Sequence, residues 1–280
     1  VVFHITQRSA GKELLFVEDK DYLFMLGLIK ELAKKYSITV YSFCLMSNHV
    51  HILLSLTENN LYQAMQGIFS QYARYFNRKY ERKGHLFGGP YRQAACLDDT
   101  YLLVASLYIH LNPVRAGIVK DPLSYRWSSC GLYTKKDPPN SFTETDLILG
   151  LLSNQAKEGR QRYLDLLREG AKIGIKDVFE TEYAIKDFKK HLHLRTPFIF
   201  KEIVKKIVSK AVSGSDLVNE EELERIIQEI KGKNRPRLPE TKGAQRFLIE
   251  QLIARGYSRE EIALKINLSR KTIYTLLKST

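Results

Sequence analysis

Cysteine is scarce in this 280-residue chain, with three residues, Cys44, Cys96 and Cys130, and no C-x-x-C pair. That spacing excludes a disulfide framework and leaves ordinary thiols of a reducing compartment. Uninterrupted apolar runs of about 18 residues are missing, as is a signal-peptide pattern, so the expectation is a soluble cytoplasmic protein with no membrane partner. Internal repeats and low-complexity tracts are absent as well. An initiator methionine is also lacking: the chain opens at Val1, already inside a strand-like segment, and a short preceding piece is expected. Acidic residues are in deficit, with 31 Asp and Glu against 44 Lys and Arg and a formal charge of +13. A balance of this kind favours an acidic partner, nucleic acid first, although some basic proteins bind nothing anionic.

What is present reads as a globular chain, 44% apolar, long enough for one large domain or two smaller ones. "VVFHIT" alternates as a strand, and "DKDYLFMLGLIKELAKKY" has helical periodicity with Leu26, Ile29, Leu32 and Ala33 on one side. "SITVYSFCLM" and "HVHILLSL" are β-rich and separated only by Ser47 and Asn48, which predicts a hairpin-like connection. A long helix over 60–83 follows, then the Gly-rich "KGHLFGGP", a short strand "YRQAACL", and a helix from Asp98 to the Asn112–Pro113 step. The order β-α-β-β-α-β-α predicts an α+β domain with a mainly antiparallel sheet, over residues 1–135.

"TKKDPPNS" at 134–141 reads as a linker, and the second half reads as helical, with segments near 144–153, 155–170, 176–190, 198–212 and 218–232. This helical connector region spans 142–232. "KGKNRPRLPE" is a second linker. Residues 240–280 then give a helix, a helix opened by the capping box Ser258 to Glu261, a short turn at Asn267 to Ser269 and a last helix, which is the helix-turn-helix pattern. Arg270, Lys271, Thr272 and Tyr274 would begin its recognition helix on duplex DNA. The competing reading is a three-helix module for protein contacts.

The chemistry centres on "HVH". Alternate residues of a strand share a face, so His49 and His51 project together while Val50 and Ile52 point to the core. Two imidazoles so placed suit one divalent cation, and a satisfied structural pair is the bland alternative. Tyr108 and Asn112 stand at i and i+4, on one helix face, so an amide oxygen beside a phenol is available to complete a metal site. Pro113 predicts that the helix ends at Asn112. His110 is two residues on and points away from that face. His4 either approaches the site or sits in the sheet, and His85 reads as a substrate-side or structural residue. Arg74, Arg78 and Arg82 at i, i+4 and i+8 make a basic stripe suited to a phosphate backbone, with Tyr72, Phe76 and Tyr80 read as core. Arg92 and Arg115 are the remaining phosphate contacts expected near the site.

"CLMSNHVHILL", "GHLFGGPYR", "YLLVASLYIHLNPVRAG" and "YRWSS", in this order and spacing, resemble the single-tyrosine HUH transposases of the IS200-like superfamily, most closely the REP-associated tyrosine transposase branch. The resemblance covers roughly residues 2–133. It implies a ferredoxin-like antiparallel sheet with H-x-H on a central strand, which the segments read above extend with an all-α region. It also implies Mg²⁺ or Mn²⁺ held by His49, His51 and Asn112, Tyr108 as nucleophile, and single-stranded DNA beside a hairpin as substrate. A bacterial, nucleoid-associated location and a monomer or a homodimer exchanging the tyrosine helix go with it. Pro90 stands where the family commonly has a basic residue, which touches a DNA contact and not the chemistry. Two other classes compete with strand transfer through a 5′-phosphotyrosine: a regulator that binds DNA through the helix-turn-helix, and a metal-dependent nuclease using water.

Overall fold

The computed structural model describes residues 1–11, 13–96, 99–174, 182–200, 202–203, 223–228, 239–255, 257 and 259–278. Asp98, Ser258 and most of the two helices expected over 198–212 and 218–232 fall outside these residues. The chain divides into two compact units, Val1–Thr196 and Pro197–Thr280.

The first unit starts with β1 (Val2–Arg8), α1 (Asp19–Lys35), β2 (Ile38–Met46), β3 (His49–Leu56), α2 (Leu61–Lys79), β4 (Arg92–Cys96) and α3 (Asp99–Arg115). The four strands form one sheet in the order β2-β3-β1-β4, every neighbouring pair antiparallel. This is the ferredoxin-like arrangement, in which each helix crosses over a strand to return on the sheet. Strand parity then decides the layers. Ile5, Val40, Phe43, Leu45, Val50, Ile52 and Leu54 join Met25, Ile29 and Leu32 of α1 and Ala64, Met65, Ile68, Phe69 and Tyr72 of α2 in one buried core. Helices α1 and α2 therefore cover one sheet face. Asp21 at the start of α1 is fully buried and ties the two helices together, accepting from Tyr75 Oη, Tyr80 Oη and Lys79 Nζ.

The other face is covered by α3, whose residues from Tyr101 to Pro113 are all buried. A helix apolar all round needs cover on both sides. The second cover comes from α4 (Cys130–Thr134), α5 (Asp146–Leu152), α6 (Ala156–Ala171) and α7 (Glu182–Arg195), through contacts such as Ser106 Oγ with Tyr163 Oη at 2.7 Å. The "YRWSS" segment closes the open edge of β2: Leu45 N donates to Trp127 O and Ser129 N to Phe43 O, which removes an unpaired edge. Residues 134–141, read from sequence as a linker, lie within this unit. Tyr133 Oη before them donates to Tyr41 O at 2.7 Å, and Glu144 N after them donates to Val40 O at 2.8 Å.

The expected end of α3 at Asn112 is corrected by the structure, in which the helix runs through Pro113 to Arg115. Proline costs the helix one N–H donor, but it stands in the final turn, where that loss is small beside the burial of both helix faces. The stop comes at Gly117, whose φ of 68° is the left-handed cap conformation that glycine adopts without strain.

In the second unit, α8 (Pro239–Ala254), α9 (Arg259–Ile266) and α10 (Arg270–Lys278) share a small core of Leu248, Ile249, Leu252, Ile262, Ile266, Ile273 and Leu276. Asn267, at φ 54°, turns the chain between α9 and α10, and Ser269 Oγ caps the latter by accepting from Thr272 N at 3.0 Å.

Candidate active site

The pairing register puts Arg8 opposite His49 and Thr6 opposite His51 across β1 and β3. Both histidines are buried, at 6% and 0% exposure, on the face opposite Val50 and Ile52. His49 Nδ1 lies 2.7 Å from Asn48 Oδ1. An amide oxygen only accepts, so this contact puts the ring proton on Nδ1 and the lone pair on Nε2, the tautomer that serves a cation. His51 Nδ1 lies 3.0 Å from His4 Nε2 and 3.3 Å from Thr6 Oγ1, again on the ring edge away from Nε2.

Helix α3 is held on this face by Ser106, whose Oγ is 2.7 Å from Ser42 Oγ. Two residues on, Tyr108 approaches the histidines: its ring meets that of His51 edge to face, with centroids 6.5 Å apart. Tyr108 is 2% exposed. Asn112, a turn further on, is buried too, and its Nδ2 has no hydrogen-bond partner among the described residues. A buried amide in that condition is costly unless something outside the chain completes it. No group of three or more His, Cys, Asp or Glu side chains among the described residues is arranged to hold a metal ion.

Arg115 lies against the phenol, with its guanidinium carbon 4.2 Å from the Tyr108 ring centroid and 4.4 Å from that of Phe188. Phe188 belongs to α7 and is fully buried. His110 faces the other side of α3, with Nδ1 2.7 Å from Tyr163 Oη and Nε2 2.8 Å from Ser129 Oγ. Burial pushes its pKa down to about 3, so it stays neutral and holds no charge to offer the site.

The remaining residues singled out from sequence divide by layer. Arg92 pairs opposite Thr6, on the site face, and is exposed. Arg74 and Arg78 are exposed on α2, which packs on the opposite sheet face. Arg82 leaves the stripe, because α2 ends at Lys79 and the chain turns at Glu81 with φ 50°. Its guanidinium pairs with Glu13 and donates to Asn77 Oδ1. Tyr72 and Phe76 are core as expected. His85 is exposed in the Gly-rich loop, beside an open groove of 580 Å³ that it lines with Ala73 and Asn77. In the second unit Arg270, Lys271 and Tyr274 are exposed on α10, with Thr272 half-buried.

Sequence reasoning did not place His4 or Thr6 beside His51, because a strand's parity against its neighbour is set by register and not by its own alternation. Nor did it reach Phe188, 80 residues from Tyr108, which no local pattern connects to the site.

Residues 2–112 match the family described as "Transposase IS200 like". A solved structure described as "Structure of the REP associates tyrosine transposase bound to a REP hairpin" is similar at 14% identity and a TM-score of 0.42, covering 52% of this chain and 89% of that one. Among curated proteins no sequence matches. Among the described residues no helix is long and apolar enough to cross a membrane. Over residues 2–112 the chain is thus similar to the IS200-like transposases.

Proposed function

We propose that this domain cleaves and rejoins single-stranded DNA through a covalent bond to Tyr108. The observation that carries the reading is the meeting of Tyr108 with the His49–His51 face, buried between the sheet and α3, with ring centroids of Tyr108 and His51 6.5 Å apart. In the reaction the phenol oxygen forms a bond to phosphorus as the bond from phosphorus to the 3′ oxygen breaks. The products are a 5′-phosphotyrosine and a free 3′-hydroxyl, which takes up the proton. One phosphoester replaces another, so a 3′-hydroxyl of a second strand reverses the step without ATP.

His49, His51 and Asn112 would hold a divalent cation, Mg²⁺ or Mn²⁺, and the fit is supported by the His49 tautomer, which leaves Nε2 as the ring's lone-pair atom. Such an ion, when bound, supplies Lewis-acid polarisation of the phosphoryl oxygens. Around it the chain's own groups orient and neutralise. His4 and Thr6 fix the His51 ring, while Arg115 and Arg92 bring positive charge to the same face. Burial of Tyr108 keeps competing water from the phosphotyrosine.

The substrate would be a strand next to a hairpin, in keeping with the family, and the exposed Arg270, Lys271 and Tyr274 of α10 would contact duplex DNA in addition. A denaturing gel of the protein with end-labelled hairpin DNA and Mn²⁺ tests the proposal. A labelled adduct is expected from the native protein and from neither Tyr108→Phe nor an EDTA-treated sample. Cleavage by Tyr108→Phe would replace the reading with a nuclease that uses water.

A further inference from the structure

The Arg115 guanidinium sits in the corner between two rings, Tyr108 of α3 at 4.2 Å and Phe188 of α7 at 4.4 Å, whose own centroids are 6.1 Å apart in a T-shaped contact. Tyr108 lies inside residues 2–112, whereas Arg115 and Phe188 lie outside the match. Helix α7 presents Ala184, Ile185, Phe188 and Leu192 inward, all buried at 2% exposure or less. Behind Phe188 stands Gly170 of α6. A methyl group there would come within 3.0 Å of Phe188 Cζ and 2.7 Å of Leu111 Cδ1, so glycine is what lets the ring sit this deep.

We infer that Phe188 is a positioning residue for Tyr108. Its ring meets the phenol directly in a T-shaped contact and shares the guanidinium with it, so the phenol is bounded by Phe188, by Arg115 and by the His51 ring. Cations stack on aromatic faces, and Arg does so with a flat group that resists tilting. An attacking oxygen must hold its line to phosphorus, and a misplacement of about 1 Å costs on the order of 100-fold in rate. The helical region after residue 142 is in this way a wall of the candidate site. The inference deepens the nucleophile reading above and rests on it.

Three variants and a probe that needs no cleavage test it. Phe188→Leu keeps apolar volume but loses the flat face, and Gly170→Ala pushes on the ring from behind. Each is expected to slow single-turnover adduct formation by about 10-fold or more, with oligonucleotide affinity by anisotropy and Trp127 emission unchanged within about twofold. In an Arg115→Met background, Phe188→Leu should add less than about twofold, because the two groups act as one. A native rate in Phe188→Leu, or equal losses of rate and affinity, would overturn the inference. Tyrosine-labelled protein supplies the second readout, in which the Tyr108 ring, identified by its loss in Tyr108→Phe, should show slow flipping in the native chain and averaged signals in Phe188→Leu. Fast flipping in the native chain sinks the clamp, whereas slow flipping in a protein that forms no adduct sinks the nucleophile reading and leaves the clamp standing.

Discussion

Lowering the pH should destabilise the first unit through one side chain, His110. It is fully buried, its two ring nitrogens meet Tyr163 Oη and Ser129 Oγ, and burial holds its pKa at about 3 against an ordinary 6.5. Above pH 6.5 both folded and unfolded chains carry it neutral, so it adds no pH dependence there. As the pH falls below 6.5 the unfolded chain takes up a proton that the folded chain refuses until about pH 3, and stability drops at about 1.4 kcal/mol per pH unit. At pH 5 the loss comes to about 2 kcal/mol. The assay is urea unfolding followed by Trp127, the single tryptophan, which stacks on Tyr22 at 4.3 Å and so reports on the sheet-and-helix unit. His110→Gln keeps an amide able to donate and accept but does not titrate. It should be less stable than the native chain near neutrality, and the gap should close by about 2 kcal/mol on going to pH 5. Every other residue is common to both proteins and cancels in the comparison. A gap that stays constant over that range would show that the buried imidazole is not the source and would refute the reasoning.

Asp21→Asn should cost about 3 kcal/mol in the same unfolding assay, since it strips the buried carboxylate that Lys79, Tyr75 and Tyr80 address. Burial by itself would raise the Asp21 pKa, but those donors and the Val17 and Glu18 amides bring it down to about 2. The native chain's advantage over this variant should accordingly fade only below about pH 4. His49→Ala with His51→Ala should weaken Mn²⁺ binding, read by electron paramagnetic resonance, by about 10-fold or more while Trp127 emission stays native. Unchanged Mn²⁺ binding would remove both imidazoles from the ligand set. Arg270→Ala with Lys271→Ala should lower duplex affinity and cut the slope of log affinity against log salt by about 2, whereas an unaltered slope would free α10 from phosphate contact.

Much of the sheet was readable because parity is a local property: the alternation in "HVHILL" fixes which residues share a side, and the Ser47–Asn48 step leaves no room for anything but a tight return. The partner across the strand was not readable. His4 meets His51 only because β1 is placed between β3 and β4 in a particular register, and that choice is made by the core on the opposite face. Pro113 misled for a related reason. A local rule set the end of α3 at Asn112, while burial on both sides of the helix carried it on to Arg115. The second cover over α3, required by its burial from Tyr101 to Pro113, was not read from the sequence, because the segments that provide it come later in the chain. Arg82 was lost from the basic stripe because the chain turns at Glu81, ahead of the turn that sequence alone had placed after residue 83.

The cover over α3 bears on how the protein is born. The match to the family model ends at residue 112, but the helix bearing Tyr108 cannot bury its outer side until α6 and α7 have been made. Roughly 70 residues separate Arg115 from Phe188, which at about 5–20 residues per second means several seconds of synthesis. Through that interval a nascent chain carries the sheet with a sticky apolar helix still bare, and the candidate site between them is unfinished. Completion of the candidate site is thus postponed to the moment when the later helices leave the ribosome, and a polypeptide truncated near residue 135 would keep the stretch that matches the family model while losing the shelter that α3 requires.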